Sequence, residues 1–526
     1  MNQPVKSSRR HGLLRSSFVV SLMTMISRVL GLARDVAFAI FIGAGGAADP
    51  FFIAFKIPNF LRRLFAEGAF SQAFVPVLSE YREQRSFEQV RHLIDRVSGV
   101  LGSTLIAVTV VAVVAAPAVT ALFAPGYLGD PEKFALTTDL VRITFPYLFL
   151  ISMTGFSGAV LNSYGRFAPP AFAPVLLNVV LIGAAFVANR WFEVPVYALA
   201  WGVLLAGIVQ WLFQMPFLAR LRLTPRPKWD PKDEGVVRVL TLIVPALFGV
   251  SVSQINLLLG TVIASFLPTG SVSWLYYSDR LSELPLGVFA VAIGTVILPS
   301  LSRNRAAGSS EAFSQTLNWA LRLILLIGLP AAVALFVLGP SILMTLFQYR
   351  ETTPFDIRMS ALSLAAIATG LTAFMLIKVL APGFYARQDM KTPVRIGITA
   401  MVANMVLSVI LVVPLHHYLT LGHVGLALAT SLAAWLNAGL LYRALRRDGV
   451  LQLTPGWGRY LLQLGGACLL MAATLWWINP ALTEWQQWLW WQRVGRLLGI
   501  IAAGGGVYLL VLGLGGVRPR QLRSPV

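Results

Sequence analysis

The sequence predicts an all-α polytopic membrane protein with about fourteen transmembrane helices, as two six-helix lobes related by an internal repeat plus two C-terminal helices. Hydrophobic residues make up 57% of the 526-residue chain and charged residues only 12%, whereas soluble proteins carry roughly 25% charged residues. Apolar runs of about 20 residues, the length that crosses a bilayer as a helix, recur along the whole chain.

Lysine and arginine residues are concentrated in alternate short connectors between the apolar runs. This bias predicts an even number of spans with both termini in the cytoplasm. A net charge of +20 would suggest a nucleic-acid partner in a soluble protein. Here it is explained by membrane orientation, and no nucleic-acid partner is expected. The basic N-terminus resembles a signal peptide, but the long following segment carries Arg28 and Arg34, so we expect it to be retained as the first span.

The predicted spans follow the apolar runs in chain order. They are 16–43, 50–80, 95–123, 138–162, 170–189, 195–219, 236–266, 271–300, 312–338, 357–382, 393–415, 422–444, 458–478 and 492–514. The apolar run at 339–349 is too short to cross a bilayer and is predicted to be re-entrant or interfacial.

Three weak internal matches at nearly one offset predict a duplicated architecture. They pair 164–166 with 385–387, 76–79 with 299–302 and 43–56 with 267–280, at offsets of 221, 223 and 224 residues. Two halves in the same orientation are typical of transporters built from parallel repeats, with the cargo site at the interface.

The repeat divides the chain into three predicted regions. An N-lobe at 1–222 holds spans 1–6, a C-lobe at 223–447 holds spans 7–12, and 448–526 holds spans 13 and 14. This last region is rich in tryptophan near the predicted outer boundary, which is typical of an interfacial aromatic belt. These residues are Trp476, Trp477, Trp485, Trp488, Trp490 and Trp491.

The first two predicted spans hold an excess of cations. The basic residues are Arg28, Arg34, Lys56, Arg62 and Arg63, against the acids Asp35, Asp49 and Glu67. A charge near the bilayer centre costs about 2.5–3.5 kcal/mol on insertion scales. Such residues should therefore face a watery cavity inside the helix bundle, and a cationic cavity indicates an anionic cargo.

Structural explanations compete with this interpretation. Arg28 and Arg34 could reach the membrane surface or pair with the neighbouring acids Asp35 and Asp49. Arg63 and Glu67 are four residues apart and can pair on one helix face, which leaves Arg62 as the freer cation. Asp49 lies at the predicted outer rim, where it is either a gate residue or a solvated cap.

The eighth predicted span contributes a third charged group from the second half of the chain. Asp279, Arg280 and Glu283 lie within one helical turn and could neutralise one another. Alternatively, Arg280 supplies the second lobe's cation to the cavity, where the repeat sets it against Lys56.

Several kinds of chemistry have no motif in the chain. The sequence contains no phosphate-binding loop of the form G-x-x-x-x-G-K-[ST], no paired acidic motif of a glycosyltransferase and no metal-spaced Cys/His cluster. We therefore expect a transporter rather than an enzyme, with no cofactor and no metal site. Transport would draw on an ion gradient or the membrane potential.

Long motifs give the chain a resemblance to a known family. The segments SRVLGLARD, ADPFFIAFKIPNFLRRLFAEGAFSQAFVP, PPAFAPVLLN, GVSVSQIN, TGSVSWLYYSDRL and KVLAPGFYARQDMKTPV are similar to those of the lipid II flippases called MurJ or MviN. This family belongs to the multidrug/oligosaccharidyl-lipid/polysaccharide exporter superfamily, and the resemblance covers nearly the whole chain.

The resemblance implies an alternating-access transporter that carries lipid II, an undecaprenyl-pyrophosphate-linked muropeptide, from the inner to the outer leaflet of the bacterial cytoplasmic membrane. The family's essential cavity arginines match Arg28, Arg34, Arg62 and Arg280. Its outer-gate aspartate matches Asp49, and its final two spans would form a groove for the polyprenyl tail. Lys56, Arg63, Glu67, Asp279 and Glu283 are possible supporting residues. Membrane lipids, and possibly cell-wall synthesis proteins, are expected partners.

Alternative functions differ in the charge or the loops that they require. A cation-coupled drug exporter of the same superfamily should have an acidic pocket, and an exporter of another polyprenyl-pyrophosphate sugar should have a basic one. A membrane peptidoglycan polymerase would need a catalytic carboxylate in a long outer loop, whereas the predicted outer loops are short.

Overall fold

Helices form all the regular structure in residues 6–63 and 70–517, which are the residues that the computed structural model describes; no strand occurs among them. Glu67, a predicted supporting residue, lies outside the described residues. The all-helical, multi-pass class predicted from the composition is thereby confirmed.

The chain forms two compact units, Met1–Thr269 and Gly270–Val526. The helices of the first unit are α1 (Lys6–Phe41), α2 (Ala48–Leu61), α3 (Ser71–Gln84), α4 (Phe87–Val114), α5 (Ala116–Phe123), α6 (Pro131–Thr144), α7 (Tyr147–Ser163), α8 (Ala168–Trp191), α9 (Val196–Arg220) and α10 (Glu234–Ser265). A short 3-10 turn, Pro125–Gly129, connects α5 to α6.

The helices of the second unit include α13, which at 38 residues is the longest helix in the described part of the chain. They are α11 (Ser271–Pro285), α12 (Val291–Ala306), α13 (Ser310–Phe347), α14 (Pro354–Tyr385), α15 (Lys391–Leu419), α16 (Gly422–Arg447), α17 (Trp457–Ile478), α18 (Leu482–Gln487) and α19 (Trp490–Leu514). A π-helical turn, Leu286–Ala290, joins α11 to α12. The predicted three-region division at 222 and 447 stays a prediction.

Ten helical segments of the described chain are long and apolar enough to cross a membrane. Predicted spans 1, 2, 7 and 8 are not among them. The described part of predicted span 1 contains Arg28, Arg34 and Asp35. Predicted span 2 includes residues of α2 and α3, and predicted span 8 includes residues of α11 and α12. Spans 1, 2 and 8, which carry the candidate site residues, are thus among the four that do not meet this criterion, and the count of fourteen stays a prediction.

The prediction of a separate interfacial piece at 339–349 is wrong, because α13 runs unbroken from Ser310 to Phe347. Pro340 lies inside this helix, where proline cannot donate the usual backbone hydrogen bond. Side-chain bonds support the turn that follows: Ser341 Oγ bonds Asn479 Oδ1 at 3.0 Å, and Thr345 Oγ1 donates to Ser341 O at 2.7 Å. Packing therefore carries the helix past its proline.

A buried arginine attaches the C-terminal helices to α13. Arg493, only 7% exposed, donates to the backbone oxygens of Met344 and Gln348 near the end of α13, at 3.2 and 3.3 Å. It also donates to the oxygens of Gln486 and Trp488, at 3.2 and 3.1 Å. A cation suits this position because a helix C-terminus carries partial negative charge.

Two further contacts attach the C-terminal helices along α13. Tyr460 on α17 donates to Arg322 O at 2.7 Å, and Tyr508 on α19 donates to Leu326 O at 2.6 Å. Trp485, predicted as part of the aromatic belt, is fully buried and donates to Asn479 Oδ1 at 3.2 Å. Trp485 therefore has a packing role, whereas Trp476, Trp477, Trp490 and Trp491 are more than half exposed.

We predict that Arg493→Ala destabilises the second unit, because four carbonyl oxygens lose a charged donor. Hydrogen bonds to charged groups contribute about 1.5–3 kcal/mol each, so the loss should be at least of that size. Thermal unfolding of the purified chain in detergent measures it. Arg496→Ala, which removes an exposed arginine from the same helix, is the control. Equal melting temperatures for the two variants would contradict this role.

Candidate functional site

The predicted site residue Arg34 lies in a closed network of the first unit. Its side chain is 7% exposed. Nε and Nη2 donate to Asp35 Oδ1 at 3.0 and 2.7 Å, and Nη1 donates to Asn178 Oδ1 at 3.0 Å. The guanidinium also lies 5.5 Å from the ring centroid of Phe38 and 6.0 Å from that of Phe55. Arg34 therefore joins α1, α2 and α8 in this conformation.

Asn178 completes the network and was not anticipated from the sequence. Its amide nitrogen donates to Ser27 O at 2.9 Å, so α8 is bonded to α1 at two levels. Asn178 is 4% exposed, and both ends of its amide are used. An asparagine in the middle of an apolar span was the available sign, since polar side chains inside membranes usually bond between helices.

Arg28 has a different environment from Arg34, although both lie on α1. The two residues are six apart, which places them about 120° apart around a helix. Arg28 is half-buried, and it makes no hydrogen bond or ion pair with any residue in the described ranges. The two predicted cargo ligands thus separate into a saturated arginine and an available one.

Three cations lie in the last turns of α2 or directly after it, and their side chains differ in exposure. Lys56 and Arg62 are half-buried and Arg63 is exposed. Lys56 and Arg63 are seven residues apart and share a helix face. Arg62 follows the last residue of α2 and donates its backbone N–H to the oxygens of Pro58 and Asn59. Because Glu67 lies outside the described residues, the predicted Arg63–Glu67 pair stays a prediction.

Asp49, the predicted gate residue, is buried in the first turn of α2, at 2% exposure. A carboxylate is favoured there by the partial positive charge of a helix N-terminus. It lies beside the connector between α5 and α6, where burial and the charges of Asp49 and Asp130 raise the pKa of Tyr127. Lys133 lies over the same tyrosine ring at 5.2 Å and donates to Thr269 Oγ1 at 2.5 Å. Asp49 is therefore part of a charged cluster with Asp130 and Lys133, at the position predicted to be the outer rim.

In the second unit, Arg280 is half-buried on α11, with a side chain 29% exposed. Its Nη1 donates to Glu283 Oε2 at 2.8 Å, and its guanidinium lies 5.9 Å from the ring centroid of Tyr276. Asp279 and Glu283 are exposed. The Arg280–Glu283 pair matches one of the two interpretations of this turn, and its partial exposure leaves the guanidinium accessible.

The N-terminal half of α11 is hydrogen-bonded to α14, and these bonds fix the position of Arg280. Trp274 Nε1 donates to Asp356 Oδ1 at 2.9 Å, and Ser278 Oγ donates to Ser360 O at 2.7 Å. Asp356 is in turn held by the Thr353 capping box at the start of α14. The segment Ser271–Ser278 is buried throughout.

Two structural cations of the second unit were missed in the sequence. Besides Arg493, Arg322 lies on α13, 5.2 Å from the ring centroid of Trp457, and donates to Thr454 Oγ1 at 3.0 Å. Arg322 of α13 contacts the start of α17, whereas Arg493 of α19 contacts the end of α13. Within the described ranges, no group of three His, Cys, Asp or Glu side chains could hold a metal ion.

Charged, half-buried side chains on multi-pass helices define a membrane transporter class, and the comparisons agree with this class. The family model for the lipid II flippase MurJ matches residues 38–492. The chain therefore belongs to the lipid II flippase MurJ family, and the prediction of a transporter rather than an enzyme is confirmed.

Relatives of the chain are similar over almost their full length. A probable lipid II flippase MurJ of Vibrio cholerae is 51% identical over 519 residues, covering 97% of this chain and 98% of the relative. The corresponding protein of Haemophilus influenzae is 48% identical, covering 95% and 99%. The lipid II flippase MurJ of Burkholderia cenocepacia is 44% identical, covering 88% and 90%.

Solved structures agree with this assignment at the level of the fold. A lipid II flippase MurJ in an inward closed conformation has a TM-score of 0.79 and 26% identity, covering 94% of this chain and 98% of that chain. An inward-facing multidrug transporter of the MATE family and MOP superfamily has a TM-score of 0.63 and 16% identity, covering 82% and 98%. The second match shows a shared fold only.

We predict that Asp35→Asn strongly destabilises the first unit, because it leaves the buried Arg34 charge without its anionic partner. Breaking a buried ion pair costs about 3–5 kcal/mol. Thermal unfolding of the purified chain measures the effect. Asp139→Asn, in the exposed Asp139–Arg142 pair at 2.9 Å, should change stability by no more than about 1 kcal/mol.

A double variant checks the physical reason. Arg34→Gln added to Asp35→Asn removes the uncompensated charge, so it should recover part of the lost stability. If the double variant were less stable than Asp35→Asn by the full cost of Arg34→Gln alone, the two side chains would act independently and the pair would not stabilise the unit.

Proposed function

We propose that this protein flips lipid II from the inner to the outer leaflet of the bacterial cytoplasmic membrane by alternating access. The observation that carries the proposal is Arg28: a half-buried arginine on an apolar helix with no protein partner among the described residues. A cation in this environment is costly unless water or an anion compensates it. An anionic cargo supplies that compensation.

The pyrophosphate of lipid II suits a group of arginines. A guanidinium presents paired donors that bind two phosphate oxygens at once, and such charge-assisted bonds are about twice as strong as neutral ones. Arg28 and Arg62 of the first unit and Arg280 of the second are the proposed ligands. Family membership and the names of the relatives, which are lipid II flippases, support this choice of cargo.

Arg34 has a supporting role in this mechanism. Its bond to Asn178 holds α1 against α8, and its two bonds to Asp35 lie within α1, so it helps to orient the helix on which Arg28 lies. In another conformation of the cycle it could exchange Asp35 for the cargo, as the family resemblance implies. Lys56, Arg63, Asp279 and Glu283 are proposed to tune the local charge.

Cargo binding would drive the conformational cycle. The proposed arginine ligands repel one another when no cargo is bound, and a bound pyrophosphate offsets this repulsion. The conformation closed around the cargo is then favoured, which is a population shift caused by differential binding. Asp49, buried in the outer cluster with Lys133 and Tyr127 nearby, is the proposed outer gate.

The C-terminal helices are the proposed site for the polyprenyl tail. α17 and α19 are attached to α13 on one side through Arg493, Tyr460 and Tyr508. Their other faces carry exposed apolar residues, including Leu462 at 79% and Leu469 at 73% exposure. An ion gradient or the membrane potential is the proposed energy source, with no cofactor; both termini are proposed to be cytoplasmic, and cell-wall synthesis proteins are possible partners.

We predict that Arg28→Ala and Arg62→Ala abolish transport while leaving the chain folded. The leaflet distribution of lipid II in cells depleted of this protein, then complemented, measures the effect. Wild type should restore lipid II in the outer leaflet and the two variants should leave it inside. Arg142→Ala, at an exposed position on α6, should restore it as wild type does.

Two outcomes would contradict this function. Normal outer-leaflet lipid II after depletion, in cells with no other flippase, would exclude lipid II as the required cargo. Full transport by stably expressed Arg28→Ala and Arg62→Ala would instead retain the cargo and exclude the cationic site.

A further inference from the structure

A basic cleft lies between the ends of α15 and α16 in the second unit, away from the residues of the proposed cavity. It encloses about 430 Å³ and is lined by Arg395 of α15 and by Arg443 and Arg447 of α16. Ile396 and Leu440 form part of its apolar wall. No acidic residue lines it.

Helical periodicity on both sides shows how the sequence builds the cleft. On α15, Thr392, Arg395 and Thr399 recur at spacings of three and four residues; on α16, Arg443 and Arg447 are four apart. Residues at these spacings share one face of a helix. Two facing stripes therefore place three guanidinium groups around one cleft.

The arginines of the cleft have little compensation from the protein. Arg395 and Arg443 form no salt bridge with any residue in the described part of the chain. Arg447 Nε lies 3.7 Å from Asp448 Oδ1, but that carboxylate also accepts from Arg387 at 3.3 Å. The other nearby acid, Asp389, accepts a hydrogen bond from the backbone N–H of Thr392. Hydrogen bonds from Thr392 lower the pKa of the Asp389 carboxyl. The cleft is thus electropositive.

Beyond this cleft, α15 has an exposed apolar face. Within the membrane, Val402, Val406 and Ile410 on α15 are 50%, 52% and 58% exposed. A helix so exposed and apolar is covered by acyl chains in a bilayer. The cleft lies at the basic end of the helix, where the positive-inside bias puts the inner leaflet.

A cavity of the first unit occupies corresponding sequence positions with different chemistry. It is lined by Phe172, Phe217 and Arg220. Adding 223, the offset of one internal match, gives 395, 440 and 443, three positions that line the basic cleft. Both units therefore have a cavity at this position of the repeat. At the first of the three paired positions, the first unit has Phe172 and the second unit has Arg395.

We propose that the α15–α16 cleft binds the headgroup of an anionic phospholipid of the inner leaflet. Arg395 and Arg443 would hold the phosphodiester, Ile396 and Leu440 would contact the upper part of an acyl chain, and the remainder would follow the exposed face of α15. Basic clefts between transmembrane helices at the cytoplasmic side are suited to acidic headgroups. The site differs from the proposed cargo site on α1, α2 and α11.

Native mass spectrometry of the full chain tests this site. The purified protein in detergent is titrated with phosphatidylglycerol or with phosphatidylcholine of the same acyl chains. Wild type should prefer phosphatidylglycerol. The Arg395→Gln/Arg443→Gln variant should bind it at least about ten-fold more weakly, with unchanged phosphatidylcholine binding.

A matched control removes the same two charges from the same two helices outside the cleft. Lys391→Gln/Arg446→Gln changes two exposed residues that do not line it, and this variant should retain phosphatidylglycerol binding. Equal losses in the two double variants, or equal binding of both lipids by wild type, would overturn the proposal. If the cleft double variant is not monodisperse, Arg443→Gln against Arg446→Gln gives the same comparison.

A competition arm distinguishes the phospholipid from the cargo. Undecaprenyl pyrophosphate added to the wild-type complex should leave the phosphatidylglycerol bound in the cleft in place. Displacement that requires Arg395 and Arg443 would assign the cleft to the cargo and overturn the proposal. Because these measurements record binding and not transport, they do not depend on the proposed flippase function.

Discussion

Every cation inside the membrane-spanning part of this protein must be compensated, and the means of compensation separates structural from functional arginines. Moving an ion out of water is expensive, and only close partners with good geometry repay the cost. Arg493 has four backbone oxygens, and Arg34 has Asp35 and Asn178. Arg28 lacks such partners among the described residues, which is why we propose it as a ligand of the anionic cargo.

The same constraint applies to the helices that carry the candidate site residues. A span that carries several charges cannot be uniformly apolar, so α1, α2 and α11 depend on packing and on specific bonds for their stability. α11 is held to α14 by Trp274 and Ser278, and α1 to α8 by Asn178. Neighbouring apolar helices thus hold the charged ones in place, and a preorganised site needs such support.

The sequence predicts the helical membrane class and the charged spans well, because both depend on composition and on the insertion cost of charge. It also offers both interpretations of Arg34 and Arg280, pairing or cargo binding. It does not choose between them, since Asn178 is 144 residues from Arg34 and helix-to-helix contacts cannot be read from local spacing. The prediction of an interfacial piece at 339–349 is wrong for a similar reason: Asn479, far along the chain, supports α13 beyond Pro340.

The central claim is that Arg28 and Arg62 bind the pyrophosphate of the cargo. A double-mutant cycle on lipid II binding to the purified chain tests it, with Arg28→Gln, Arg62→Gln and the double variant. If both side chains contact the same group, their effects should be non-additive by about 0.5–3 kcal/mol. Strictly additive losses, or no loss from either substitution, would contradict the account.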